Sequence, residues 1–177
     1  MRAARRGLGG EDVQRPHPRI LSTVIATLLT TVALAFPQHA VGVPGKSFAG
    51  LRLGATAAQV RAAWGSRFGR CRDCKRPTWY FTYGKFQPKG AGVSFEHGTV
   101  TAFFTTWSPA GWHTDRGLKL GDPEARITRL YGVLPRAECG TYSALVLRRG
   151  RTDTQFYVFK QEVLGFGLSS AGAPPCH

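Results

Sequence analysis

Acidic residues are scarce in this chain of 177 residues, where ten Asp and Glu stand against 24 Lys and Arg, so the formal net charge is +14. Charged residues make up only 19% and hydrophobic residues 42%, a balance typical of a globular rather than a disordered chain. Long apolar runs are also scarce. The single one, residues 20–36, excludes a polytopic membrane protein, and the chain is too short for a fold that needs about 250 residues, such as a full α/β barrel.

Motifs of catalytic and metal centres are missing too. The sequence has no HExxH, no closely paired histidines, no nucleophile elbow and no glycine-rich phosphate loop. His113 and Asp115 form a His-x-Asp pair, but in a linker this pattern is more often a solvated turn than an acid–base pair. We therefore predict a protein that is not an enzyme and that uses no metal or cofactor.

The first 42 residues have the three parts of a secretory signal. Basic residues precede the apolar run, which is short and rich in hydroxyl residues for a spanning helix. Small-x-small cleavage sequences stand at the end of the run, at Ala33-Leu34-Ala35, and beyond it, at Ala40-Val41-Gly42. We predict that residues 1–42 are signal peptide and processing region and that the protein is secreted or extracytoplasmic, in the cell envelope; an uncleaved membrane anchor is the alternative.

All four cysteines lie beyond this region, at Cys71, Cys74, Cys139 and Cys176. An even number in a small exported chain predicts two disulfides, for which three connectivities exist. The CRDC spacing favours a tight loop between the first two cysteines, which leaves the last two for each other. A thiol-redox protein that uses CRDC is the alternative, because the neighbouring basic residues lower a thiol pKa. However, Gly69 and Pro77 predict a loop here rather than the start of a helix.

The most informative feature is an internal repeat at an offset of 67 residues. Residues 50–65 and 117–132 read GLRLGATAAQVRAAWG and GLKLGDPEARITRLYG, with six of sixteen positions identical. Each copy predicts a short capped helix. Thr56 and Gln59 form a capping box in the first copy, and Asp122 is the predicted N-cap before Pro123 in the second.

Glycine ends each predicted helix, and strand-like segments follow. Gly65 and Gly132 stand where a positive φ is wanted. The segments rich in aromatic and β-branched residues are 78–83, 92–96 and 99–107 in the first half and 142–149, 154–160 and 162–170 in the second. His97-Gly98 is a predicted hairpin turn.

The G-L-x-L-G start, the helix that ends in Trp-Gly or Tyr-Gly, and the F-x-x-G-x-V hairpin resemble a known family over residues 47–170. They are similar to the tandem modules of secreted β-lactamase inhibitor proteins and to the single module of the small lipoprotein of the bacterial outer-membrane barrel-assembly complex. The resemblance implies helices packed on one face of a curved antiparallel sheet whose open face binds protein. It also implies half-cystines that tie helical segments to strands, which fits a Cys139–Cys176 bridge.

Repeat and resemblance together predict an α+β fold of two tandem units, residues 43–110 and 111–177. Each unit is a short helical segment packed on an antiparallel sheet of three or four strands. Strand alternation divides the aromatic residues between two faces, with Trp79, Phe81 and Tyr83 opposite Tyr80, and Phe103 and Trp107 opposite Phe104. The aromatic residues predicted to contact a partner are Trp79, Tyr83, Trp107 and Trp112.

Positive charge is concentrated in the first unit. Residues 43–110 have a net charge of +8, and residues 111–177 have +3. Such charge attracts polyanions, which outside a cell are anionic lipid, wall polymers or an acidic protein; nucleic acid is not expected there. The alternative is that the arginines only keep the surface soluble. The predicted basic contacts are Arg70, Arg72, Lys75 and Arg76.

The sequence thus predicts a secreted, non-catalytic binding protein that recognises a partner protein, such as an exported enzyme or an envelope component, through the open sheet face. A thiol-redox protein and a basic polyanion-binding protein are the alternatives.

Overall fold

A computed structural model describes residues 36–81 and 90–176 of the chain. In chain order the elements are β1 (His39–Val43), β2 (Ser47–Phe48), α1 (Ala57–Trp64), β3 (Gly69–Arg70), β4 (Thr78–Phe81), β5 (Gly90–Glu96), β6 (Thr99–Thr106), β7 (Gly111–Thr114), α2 (Glu124–Tyr131), β8 (Arg136–Glu138), β9 (Ser143–Arg149), β10 (Thr152–Phe159) and β11 (Glu162–Ser170). The fold is α+β and dominated by strands.

Eight strands form one antiparallel sheet in the order β3-β4-β5-β6-β11-β10-β9-β8. This corrects the prediction of a separate sheet for each half. The two last strands of the halves, β6 and β11, pair antiparallel from Ala102 with Ser169 to Thr106 with Gly165. The pairing joins the halves because β6 and β11 would each otherwise be an edge strand with unpaired backbone N–H and C=O groups, and each strand supplies hydrogen-bond partners for the other.

A second, three-stranded sheet has the order β2-β1-β7, with β1 and β7 parallel. Neither β1 nor β7 was predicted, because all of β1 except Val43 lies within the stretch assigned to processing and Gly111–Thr114 lies within the linker. Both strands are short and lack a clear alternation of apolar residues, so tertiary pairing rather than local sequence defines them.

Both helices begin after the repeated glycine segments and end at glycine, as predicted. The capping box of α1 is present: the Thr56 hydroxyl accepts from the Gln59 amide, and the Gln59 side chain accepts from the Thr56 amide. Gly65 and Gly132 have φ of 87° and 82°, a region that favours glycine.

The predicted N-cap role of Asp122 is wrong. Its carboxylate accepts instead from the Lys119 amide, at 2.7 Å, and from the Arg126 guanidinium, at 3.1 Å. Pro123 takes the cap position without a side-chain hydrogen bond, and the Glu124 amide donates to the Gln161 carbonyl next to β11. The first turn of α2 is therefore anchored by a neighbouring hairpin rather than by its own cap.

The main hydrophobic core lies between one face of the large sheet and the layer that holds α1, α2 and the small sheet. Val60 and Trp64 of α1 and Ile127 of α2 are all 0% exposed, and Tyr131 packs at the edge of the same core. The Trp64 indole also donates to the Ala49 carbonyl at 3.0 Å. The opposite face of the sheet carries a separate, smaller apolar cluster: Phe104, Ala144, Tyr157 and Leu164.

Two disulfides are present, Cys71–Cys74 and Cys139–Cys176, and the described residues contain no free cysteine. Two disulfides in a small chain are typical of proteins that fold outside the reducing cytoplasm. No described helix is long and apolar enough to cross a membrane.

The C-terminal tail is fixed at two points. Cys176 ties it to the residue after β8 through the second disulfide. The Asp153 carboxylate accepts from the Gly172 amide at 3.0 Å and takes two hydrogen bonds of 2.8 Å from Arg148. The hydrogen bonds from Arg148 lower the pKa of Asp153, against the opposing effect of its burial.

Candidate functional site

The open face of the large sheet, opposite the helices, carries a groove of about 460 Å³. We call it the aromatic groove. Its lining residues come from the strands of both halves and the ends of their connections: Tyr80, Gly90, Phe104, Thr106, Trp107, Thr141, Tyr142, Tyr157, Phe159 and Leu164. The face is therefore more apolar than an ordinary exposed sheet face, on which polar residues dominate.

Glycines let the aromatic rings lie flat on the sheet. A Cβ at Gly92 would lie 2.1 Å from Cζ of Phe104, and one at Gly167 would lie 2.4 Å from the Tyr157 hydroxyl oxygen. Each ring thus occupies the space above a glycine of the neighbouring strand. The alternation of glycine and aromatic residues across strands gives this face its shape.

The bottom of the groove is uncharged at neutral pH. Burial raises the pKa of the Tyr157 hydroxyl well above its usual range, and the nearby Tyr142 acts in the same direction. Ring contacts run along this side of the groove, with Tyr142 edge-on to Tyr157 at 5.7 Å between centroids. Tyr80 likewise meets Phe104 edge-on at 5.9 Å.

Trp107 is the exposed aromatic residue at the mouth of the groove. It is 45% exposed, and its ring meets Phe159 edge-on at 5.7 Å between centroids. Its backbone has a φ of 59°, uncommon for a bulky residue, and its amide donates to the Leu164 carbonyl at 2.7 Å. Nζ of Lys160 lies 5.4 Å from the Phe159 ring centroid, so a cation flanks the aromatic pair.

The sequence-based assignment of Trp107 to the face of Phe103 is wrong. Phe103 is fully buried in the main core, whereas Trp107 lines the aromatic groove with Phe104. The positive φ at Trp107 reverses the side-chain direction after β6 ends, so simple alternation fails there. For β4 the alternation holds, because Trp79 and Phe81 belong to the main core and Tyr80 to the open face.

Two of the other predicted aromatic contacts lie inside the fold, and the third falls outside the described residues. Trp112 is 2% exposed, and its indole donates to the Pro37 carbonyl at 2.9 Å. Because it offers no surface to a partner, it is a core residue rather than a contact. Trp79 is 8% exposed and stacks on Phe68 with centroids 3.9 Å apart. Tyr83 lies outside the residues that the structure describes.

The predicted basic residues lie together around the loop between β3 and β4, and none of them lines the aromatic groove. Arg70, Arg72, Lys75 and Arg76 are all exposed. Arg76 forms an ion pair with Glu96 at 3.8 Å between Nε and Oε2.

The Cys71–Cys74 disulfide closes this same strand-to-strand loop. Neighbouring cations lower a thiol pKa, but neither cysteine has the helix N-terminus typical of redox sites, because α1 ends at Trp64, before the loop. Within the ranges 36–81 and 90–176, no group of three or more His, Cys, Asp or Glu is placed to hold a metal ion.

Sequence reasoning missed the groove residues of the second half, above all Tyr142, Phe159 and Leu164. A signal for the second half exists, since residues 154–160 are rich in aromatic residues and successive side chains of a strand point to opposite faces. Applying the alternation to both halves would have placed Tyr157 opposite Phe156, as the structure does.

Comparisons with known proteins show partial structural likeness only. No family model matches the chain, and no curated protein matches it. A DUF4309 family protein, YjgB, from Bacillus subtilis is 18% identical with a TM-score of 0.44, covering 66% of this chain and 78% of its own. An extracellular protein containing a SCP domain from Bacillus anthracis is 10% identical with a TM-score of 0.48, and the match covers 78% of this chain and 50% of that protein. The uncharacterized protein yfeY from Escherichia coli is 13% identical with a TM-score of 0.44, covering 77% and 99%.

Proposed function

We propose that this chain is an extracytoplasmic, non-catalytic binding protein built of two tandem repeats, each a helix and four strands, that share one sheet. The order of elements supports the duplication, since α1 and α2 are each followed by four strands of the large sheet. The strand order is symmetric about the β6–β11 pair. Val60 and Ile127, which the repeat aligns, are both fully buried in the main core. Export accounts for the leader-like N-terminus and the two disulfides.

The partner we propose is a protein that inserts an apolar side chain into the aromatic groove. The observation that carries the proposal is the Trp107–Phe159 pair, held at the groove mouth by backbone geometry rather than buried. A fixed, exposed Trp beside a pocket is the kind of residue that dominates protein interfaces, because it covers much area with little loss of freedom. Binding here joins both units, as Trp107 follows β6 and Phe159 ends β10.

Capture experiments on single variants test this function. Wild-type protein, Trp107→Ala and Val133→Ala are immobilised, and proteins of the producing organism's envelope and secreted fraction are bound and quantified. Val133 is a matched control because it is a 90% exposed apolar residue outside the groove. We expect one or more partners to be lost at least about tenfold by the Trp107 variant and retained by the Val133 variant, as expected for loss of a hot spot. Equal capture by both variants would refute the proposal.

The redox alternative has its own assay. Because both cysteines of CRDC lie in a strand-to-strand loop, we expect no catalysed reduction of insulin by the native protein. Catalysis that disappears in a Cys71→Ser variant would replace the binding function with the redox one.

A further inference from the structure

A second groove, of about 500 Å³, lies at the β3 edge of the sheet. We call it the cationic groove and define it by Arg70, Lys75, Arg76, Trp79 and Phe95. It shares no lining residue with the aromatic groove. Three of these five residues are cations, and the acidic residue that lines the groove, Glu96, is paired with Arg76.

Aromatic rings hold the guanidinium groups of this region in place. Cζ of Arg70 lies 5.9 Å from the Phe68 ring centroid and 6.0 Å from that of Trp79. Arg61, on α1, lies 5.6 Å from the same indole. The stacking orders the planar group while leaving its N–H donors free for an anion, so less freedom is lost when a ligand binds.

The Cys71–Cys74 disulfide adds a second constraint on the same cations. It closes the loop between Arg70 and Lys75, so the basic residues on either side are held close together in the free protein. The Arg76–Glu96 pair is half exposed, and such a surface ion pair contributes little to stability. It can open at little cost when a stronger anion arrives.

We propose that the cationic groove binds a phosphate-bearing polymer. A phosphate offers three acceptor oxygens and accepts from several arginines at once, whereas one carboxylate is satisfied by a single guanidinium fork. The lack of an exposed apolar wedge at this groove argues against a membrane surface. The large exposed apolar residues of the described chain are Val41, Trp107 and Val133, and none lines this groove.

The test measures binding of long-chain inorganic polyphosphate at several salt concentrations. The site variant replaces Arg70, Arg72, Lys75 and Arg76 by Ser. A control variant loses the same four charges elsewhere, through Ser at Lys119, Arg129, Arg149 and Arg151, all of them exposed. We expect the site variant to bind at least about tenfold more weakly than the control, with a salt dependence that is shallower by about two to three in the log–log slope.

Arg70→Lys separates a built site from mere positive charge, and it leaves the folded loop in place if the fourfold variant is unstable. It keeps the net charge but removes the planar fork, so we expect binding to fall several-fold. Unchanged binding of Arg70→Lys, or equal losses in the two fourfold variants, would overturn the proposal. Binding of polyglutamate or of phosphatidylglycerol vesicles as tight as that of polyphosphate would overturn the choice of a phosphate polymer.

Discussion

Gly165 lies in β11 where this strand pairs with β6, and we call this β6–β11 pairing the seam between the two halves of the sheet. The substitution Gly165→Ala adds a single methyl group there and tests whether the two strands are paired. A Cβ at Gly165 would lie 1.8 Å from the Thr105 carbonyl oxygen and 2.8 Å from the Thr105 carbonyl carbon. Both are backbone atoms of β6, so no side chain can rotate away. To admit the methyl group, β6 and β11 must separate by more than about 1 Å.

The expected destabilisation follows from that displacement. Overpacking costs about 1–3 kcal/mol, and weakening the adjacent seam hydrogen bonds costs about 1 kcal/mol each. Restriction of the unfolded chain by Ala offsets about 0.4–1 kcal/mol. We therefore expect Gly165→Ala to lower the free energy of unfolding by about 3 kcal/mol, which lowers Tm by about 10 °C in a domain of this size.

Two other glycines calibrate the result. Gly69, in β3, has nothing within 4 Å of its Cβ position, so Gly69→Ala should leave stability unchanged or raise it by about 0.5 kcal/mol. The three atoms nearest a Cβ at Gly92 all belong to the Phe104 ring, a side chain that can move more easily than backbone, so the cost of Gly92→Ala should be intermediate, about 1–2 kcal/mol. Urea unfolding followed by Trp fluorescence ranks the three variants. Equal stability of the Gly165 and Gly69 variants would show that β6 and β11 are not paired as described.

Three further outcomes are expected. Replacing Cys139 and Cys176 by Ser should cost about 4 kcal/mol in urea unfolding, because their separation of 37 residues closes a long loop, whereas loss of the short Cys71–Cys74 loop should cost about 2 kcal/mol. Asp153→Asn should cost about 1–3 kcal/mol at pH 7. The pKa of Asp153 is lower in the folded protein than in the unfolded chain, where it is about 4. The carboxylate therefore contributes its full stabilisation above the unfolded pKa and loses it as the pH falls through the folded pKa. Wild type and variant should accordingly have the same stability in unfolding assays in acid. Intact mass of the exported protein should place cleavage after Ala35 rather than after Gly42, because β1 and the Pro37 carbonyl are part of the fold; a chain that starts at 43 would contradict this.

The repeat determines local features that the sequence predicts well. The Thr56–Gln59 capping box, the glycine helix ends and the His97-Gly98 turn depend on neighbouring residues alone, and all are present. The hairpin strands also follow from local enrichment in aromatic and β-branched residues. These elements require no knowledge of the rest of the chain.

The features that failed depend on distant partners. The β1–β7 pairing joins residues about seventy positions apart, and its short strands carry no local pattern. Asp122 was expected to cap α2, but a distant hairpin carbonyl takes the Glu124 amide instead. Trp107 lies on the other face because its own backbone has a positive φ. The segment 99–107 contains no glycine that would predict this conformation.

The groove itself was only half predictable. An open sheet face with aromatic residues follows from alternation in the strands, but which rings become core depends on where the helices pack. Trp112 shows this dependence, since the small sheet buries it. Trp64, Trp79 and Trp112 are core residues because the packing of distant elements buries them, whereas Trp107, the same residue type, is exposed.

Site-specific photo-crosslinking in the producing organism tests the binding function most directly. A photoreactive phenylalanine analogue is placed at Trp107 in one variant and at Val133, outside the aromatic groove, in another. We expect a discrete crosslinked protein species from position 107 and none from position 133. Crosslinks to the same species from both positions, or from 133 alone, would contradict recognition through the open face of the sheet.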